Sequence, residues 1–130
     1  FSLEGLRALV AEDNDLNMEI VKYMLERNGI QVTCAKDGLE VVSMFEQSQI
    51  NEFDFILMDI MMPKMNGLEA AKAIRSLKRK DALEVPIFAV SANAFSDDIA
   101  ASKASGMNEH LSKPIDFEKM MQVIGKYVKK

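Results

Sequence analysis

Apolar residues along this chain follow two alternating patterns: short, nearly unbroken runs, and longer stretches in which they recur three or four positions apart. The short runs read as buried strands and the longer stretches as amphipathic helices. Residues 7–11 form the first run and end at two acids. From Asp15 to about Asn28, Asn17, Ile20, Val21, Met24 and Leu25 cluster on one helical face, and Gly29 stands where a left-handed C-terminal cap belongs. Residues 31–34 give a second strand, and residues 39–47 a helix carrying Val41, Val42, Met44 and Phe45. Residues 53–58 give a third strand. A loop from Asp59 to Gly67 then leads into an Ala-rich helix from Leu68 to about Arg79. Residues 85–90 form a fourth strand with Pro86 at its entrance, where a missing N–H is tolerated. Ser96 is a suitable N-cap for a helix ending before Gly106, and residues 109–112 are a short fifth strand. Asp116 caps a last helix bearing Phe117, Met120, Met121, Ile124 and Val128.

Five strands alternating with five helices imply right-handed crossovers and a doubly wound α/β fold, a parallel sheet with helices on both faces. For five such units the flavodoxin-like order 2-1-3-4-5 is the common solution, and its ligand crevice opens between strands one and three at their carboxyl ends. Strand one ends in Glu12 and Asp13, and strand three ends in Asp59. Three carboxylates are therefore expected to converge.

Composition narrows the setting. At 130 residues the chain is expected to be a single domain, residues 1–130, and its start at Phe1 with no signal-like segment suggests excision from a longer protein. No apolar run approaches the ~18 residues needed to span a bilayer, so no membrane contact is expected of this domain, whether or not the parent is membrane-anchored. Cys34 is the only cysteine, which excludes an intrachain disulfide and fits a cytoplasmic location. Sixteen basic against twenty acidic residues leave a net charge of −4, which argues against nucleic-acid binding and is compatible with a cation site.

Crowded acids raise one another's pKa unless a cation compensates them, and carboxylates with a carbonyl and waters suit Mg²⁺, with Mn²⁺ able to substitute. Beside strand three, strand four ends near Ser91 and strand five near Lys113, a hydroxyl and an ammonium suited to phosphate oxygens. Nucleophile, metal, hydroxyl and fixed cation are the set phosphoryl transfer requires, with Asp59 best placed to attack phosphorus.

Four segments carry a resemblance: residues 11–14 (Ala-Glu-Asp-Asn), 58–67 (Met-Asp-Ile-Met-Met-Pro-Lys-Met-Asn-Gly), 90–94 (Val-Ser-Ala-Asn-Ala) and 111–114 (Leu-Ser-Lys-Pro). Together they resemble the receiver domains of two-component response regulators, above all those of hybrid histidine kinases. The resemblance implies that Asp59 is phosphorylated by a phosphohistidine of a histidine kinase or histidine phosphotransfer domain. It implies Mg²⁺ held by Glu12, Asp13, Asp59 and the Met61 carbonyl, with Ser91 and Lys113 on the phosphoryl oxygens. Many members carry Asp where Glu12 stands, so this longer side chain is expected to reach the metal through water. The family's switch couples Ser91 to the residue three before the lysine, here His110, and the Lys113–Pro114 bond is implied to be cis. Leu16, Met18, Ile60, Met62 and Pro63 are the expected docking surface for a partner helix.

Blander readings stand beside these. Glu12 and Asp13 alone suit a helix N-terminus, Asp59 alone a turn, and His110 a partly exposed edge-strand residue. Lys78-Arg-Lys80 reads as a solvated helix end. The competing functions are an aspartate-nucleophile phosphatase, an FMN-binding module and an unphosphorylated receiver-like interaction domain. Met61 occupies the place of the phosphatase's second acid, and no hydroxyl-rich phosphate loop follows strand one. With neither Met61 nor Asn93 able to orient hydrolytic water, a phosphoaspartate long-lived enough to be relayed is expected.

Overall fold

In the computed structural model, which describes residues 3–92 and 96–128, the apolar runs become β1 (Arg7–Ala11), β2 (Gln31–Ala35), β3 (Phe55–Asp59), β4 (Ile87–Ser91) and β5 (Glu109–Ser112). They form one parallel sheet in the order β2-β1-β3-β4-β5, as expected. All residues of β3 and β4 are buried, the condition of parallel strands covered on both faces. The period of two divides the core. Leu9, Ala11, Ile56, Met58, Ile87 and Ala89 face one layer, and Ala8, Val10, Phe55, Leu57, Phe88 and Val90 face the other.

Helices α2 (Gly38–Gln47) and α3 (Gly67–Arg75) cover the first layer through Val41, Phe45, Ala70 and Ile74. Helices α1 (Asp15–Arg27) and α5 (Phe117–Tyr127) cover the second through Val21, Leu25, Met120 and Ile124. The short α4 (Ser96–Ala104) lies against β5. Side chains of Asn14, Asp37, Asn66 and Asp116 accept N–H groups at the starts of α1, α2, α3 and α5, each such cap worth about 1 kcal/mol. Gly29, with φ of 79°, takes the left-handed conformation expected after α1. The helix expected to be capped by Ser96 does start there, but its cap lies outside the described residues, as do Asn93 and Ala94.

Three expectations are corrected. The buried row of α1 is Met18, Val21 and Leu25, whereas Ile20 is exposed and Asn17 and Met24 only half-buried. Both rows contain Val21 and Leu25, and the helix is turned about 65° from the expected face at ~100° per residue. Helix α3 stops at Arg75 with Ser76 as its C-cap, whose hydroxyl donates to the Lys72 carbonyl at 2.8 Å while its N–H is shared between Lys72 and Ala73. Arg79 is consequently no solvated helix end. Its guanidinium stacks on Phe45, donates to the carbonyls of Phe45, Ser48 and Gln49 at the end of α2, and pairs with buried Asp81 at 2.6 Å. Finally, β4 begins at Ile87; Pro86 stays outside it, and its carbonyl accepts the Ile56 N–H at 2.8 Å. Among the described residues no helix is long and apolar enough to cross a membrane.

Candidate functional site

Parallel register carries β1 and β3 to the same edge, with Ala11 opposite Met58. Glu12 and Asp13 leave the sheet there beside Asp59, and one carboxylate oxygen from each of the three lies within 4.8 Å of the others. Asp59 and Glu12 are buried, and Asp13 is exposed. Lys113, just past β5, returns to the same edge: its Nζ donates to Asp59 Oδ2 at 2.8 Å and lies 3.2 Å from Glu12 Oε1. The Met61 N–H donates to Asp59 Oδ1 at 3.2 Å, and the Asn14 N–H to Glu12 Oε2 at 3.1 Å. Both buried acids are thus held in fixed orientations by partners from different loops.

Burial pushes the Glu12 carboxyl above its ordinary pKa; the Asn14 N–H opposes the shift and the nearby Asp59 charge adds to it. Burial disfavours the charged form of Lys113, but hydrogen bonds and charge from Asp59 and Glu12 outweigh that and hold its ammonium above the ordinary lysine value. Three carboxylates face one ammonium, leaving formal negative charge at the mouth of the sheet. Hard oxygen donors with a charge deficit fit a divalent ion such as Mg²⁺.

A glycine holds this edge in shape. The Gly67 N–H donates to the Ile60 carbonyl at 2.8 Å, and a Cβ at position 67 would overlap the Asp59 carbonyl oxygen. Gly67 reads in the sequence as a turn residue; its close approach to Asp59 has no signal there.

Ser91 ends β4 one step beyond the Asp59–Val90 pairing and is buried. Its carbonyl accepts the Lys113 N–H at 2.8 Å, which fixes where the lysine leaves β5, and the Lys113–Pro114 bond is cis. Ser91 Oγ lies 2.7 Å from His110 Nε2, and His110 Nδ1 lies 3.0 Å from Ser102 Oγ on α4. His110 is half-buried on the edge strand, as the blander reading expected, with its ring nitrogens within hydrogen-bond distance of two hydroxyls, and Ser102 is a neighbour that nothing in the sequence singled out. The Met61 side chain is 73% exposed.

Of the expected docking residues, Leu16 and Pro63 are exposed and Ile60 is half-buried, but Met18 and Met62 are buried in opposite core layers. The turn of α1 that buries Met18 presents Leu16, Ile20 and Tyr23 to solvent. Beside Ile20 a cavity of about 440 Å³ runs from Glu12 and Lys113 to Pro114, Ile115 and Phe117.

Residues 8–125 match the family model for the response regulator receiver domain. Hybrid signal transduction histidine kinase I of Dictyostelium discoideum is 38% identical over 120 residues, 91% of this chain and 7% of that protein. Histidine kinase 1 of Arabidopsis thaliana is 35% identical over 153 residues, 95% of this chain and 13% of that protein. The chain thus spans a small fraction of the curated relatives it matches. Among solved structures, the receiver domain of a sensor histidine kinase from Pseudomonas aeruginosa, with magnesium coordinated in its active-site cleft, superposes with a TM-score of 0.86 at 31% identity, covering 97% of this chain and 99% of that one. The receiver domain of Saccharomyces cerevisiae Ssk1, solved with the histidine phosphotransfer protein Ypd1, gives 0.85 at 29% identity, covering 95% and 88%.

Proposed function

Because the chain belongs to the response regulator receiver domain family, we propose that Asp59 takes a phosphoryl group from a phosphohistidine and passes it on within a phosphorelay of the hybrid histidine kinase type. The observation that carries this reading is the pairing of one ammonium, Lys113, with two buried carboxylates, Asp59 and Glu12, at a mouth shared with Asp13. A buried aspartate held on both oxygens is a positioned nucleophile. Its oxygen forms the new bond to phosphorus as the P–N bond of the donor breaks, and the electron pair leaves with the donor imidazole. Lys113 moves from carboxylate to phosphoryl oxygen, and the Ser91 hydroxyl donates to another, so charge on the equatorial oxygens is neutralised by groups already in place.

Glu12, Asp13, Asp59 and the backbone carbonyl of Met61 are the residues that would hold Mg²⁺, or Mn²⁺ in its place. The ion, when bound, supplies charge neutralisation at the phosphoryl oxygens. The Met61 side chain offers no acid to protonate a leaving group, which favours a stable acceptor over a phosphatase that turns over small esters.

The partner is a phosphohistidine-bearing helical domain. Leu16, Ile20 and Tyr23, 66%, 45% and 60% exposed, form an apolar stripe on α1 beside the cavity, and an apolar helix face laid on it would bring an imidazole towards Asp59. In this reading the domain is one segment of a longer kinase chain, faces the cytoplasm, and touches neither nucleic acid nor membrane. Incubation with acetyl phosphate and Mg²⁺ is expected to add one phosphate by intact mass, and chelation to prevent it. Labelling that persists in Asp59→Asn sinks the assignment.

A further inference from the structure

Residues 60–66, which join β3 to α3, rest against the start of α2. A Cβ built on Gly38, the first residue of that helix, would overlap the Met65 carbonyl oxygen and lie only 2.7 Å from the Met65 carbonyl carbon and Cβ. Beside it, buried Asp37 accepts the Glu40 N–H at 2.8 Å and lies 3.7 Å from Lys64 Nζ. Lys64 has φ of 68°, a left-handed conformation that a residue with a side chain adopts rarely and only where its surroundings impose it. The corner between β2 and α2 is thus an abutment against which residues 64 and 65 are set.

The backbone does not require glycine at position 38. Gly38 lies outside the left-handed region, and alanine is the better residue in a helix. What bars a side chain is the Met65 peptide. With a methyl group there, either the helix or the loop has to yield. Helix α2 is fixed by Val41 and Phe45, both fully buried, whereas Met61, Pro63 and Lys64 of the loop are exposed, so the loop yields. Its neighbouring anchors are Met62 in the core and the Gly67 N–H on the Ile60 carbonyl. A push at Met65 therefore reaches Ile60 and Met61, and the Met61 N–H is one of the two groups that hold Asp59.

We infer that Gly38 is a positioning residue for the acceptor site: its missing side chain lets the Met65 peptide seat against α2, and that seat sets where Met61 presents its N–H to Asp59 and its carbonyl to a divalent ion. The inference rests on the reading of Asp59 as a metal-dependent acceptor. It adds a residue outside the carboxylate cluster, on a helix that the chemistry does not otherwise use.

Gly38→Ala tests it, with Gly29→Ala as the control. Gly29 is also closely packed, its φ of 79° strains any side chain, and it follows the end of α1 that points away from the crevice. Two readouts separate positioning from general destabilisation. In metal-free protein, the Gly67 amide of Gly38→Ala is expected to exchange its hydrogen about fivefold faster than in wild type once the change in global stability from urea melts is taken out, the worth of one loosened hydrogen bond. In calorimetric titration of the folded proteins, Mg²⁺ is expected to bind Gly38→Ala about tenfold more weakly, as is usual when a group that orients metal ligands is disturbed. Gly29→Ala should lose stability and keep both readouts at wild-type values.

A wild-type value of either readout in Gly38→Ala overturns the inference, as does an equal loss of Mg²⁺ affinity in Gly29→Ala. A Gly38→Ala chain more stable than wild type would show an unobstructed helix start, and one that does not fold would show that the loop does not yield; each result also overturns it. A wild type that binds no Mg²⁺, or binds it and takes no label from acetyl phosphate, overturns instead the acceptor reading beneath the inference.

Discussion

Replacing Lys113 by alanine removes the cation 2.8 Å from Asp59 and 3.2 Å from Glu12, and the consequences for stability, metal binding and chemistry differ in sign. At an effective dielectric of ~20 these contacts are worth roughly 6 and 5 kcal/mol gross. Most of that is offset by the cost of burying the three charges. The side chain of Lys113 is 26% exposed, so water screens it further, and a net loss of about 1–2 kcal/mol is expected in metal-free protein. What remains is a cluster of carboxylates within 4.8 Å and no cation among them. In the native protein a divalent ion must share Asp59 and Glu12 with the ammonium; in the variant it has them alone. Magnesium should therefore bind about tenfold more tightly to Lys113→Ala, or ~1.4 kcal/mol, and saturating magnesium should recover most of the lost stability. Phosphorylation by acetyl phosphate should nonetheless slow by at least ~10-fold, because an equatorial oxygen loses its fixed positive partner. Calorimetric titration is the suitable assay for binding, since the chain contains no tryptophan to report it. Magnesium affinity that is unchanged or weaker in the variant would refute the claim that Lys113 and the metal compete for the same carboxylates.

The Arg79–Asp81 pair predicts a pH dependence of known sign. The Arg79 guanidinium, donating to Asp81, holds that carboxyl below its ordinary range, with burial opposing the shift. A depressed folded-state pKa contributes stability that is fully present above the unfolded value, ~pH 4, and lost as pH falls through the folded value. Asp81→Asn should cost about 2 kcal/mol in urea melts at pH 7 and distinctly less near pH 2; an equal cost at both would remove the ionic explanation. Gly67→Ala should destabilise by about 1–3 kcal/mol and slow labelling of Asp59, because its Cβ meets the Asp59 carbonyl oxygen. Native stability together with native labelling would show that the loop gives way freely.

Fold and site were legible in the sequence to different depths. The central strands could be read because their burial on both faces leaves few polar letters, and the strand order is the common solution for five such units. The face of α1 could not be read to better than one residue. Met18 and Ile20 are comparably apolar, both lie within three residues of Val21 in the sequence, and only the packing with Phe55 and Leu57 of the sheet decides between them. The same ambiguity displaced the expected docking surface, and Met62 shows the converse error: a methionine in a loop was expected at the surface, but the loop folds back and the side chain joins the core of Met58 and Ala70. Arg79 was misread for a related reason. A helix-end arginine and one turned inward onto an open helix C-terminus are identical in sequence, and the difference lies in where α3 stops.

The site itself was legible wherever topology alone fixes a position. Glu12, Asp13 and Asp59 meet because strands one and three are neighbours, and any sequence with acids at those two ends would bring them together. Lys113 required one more element, a strand end whose N–H binds the Ser91 carbonyl, and it was still within reach. The part played by Gly67 was not. It acts through an atom that the sequence does not represent, the carbonyl oxygen of Asp59. Its contribution depends on how much room is left beside that oxygen. A substitution there would change how the site responds without changing its carboxylates.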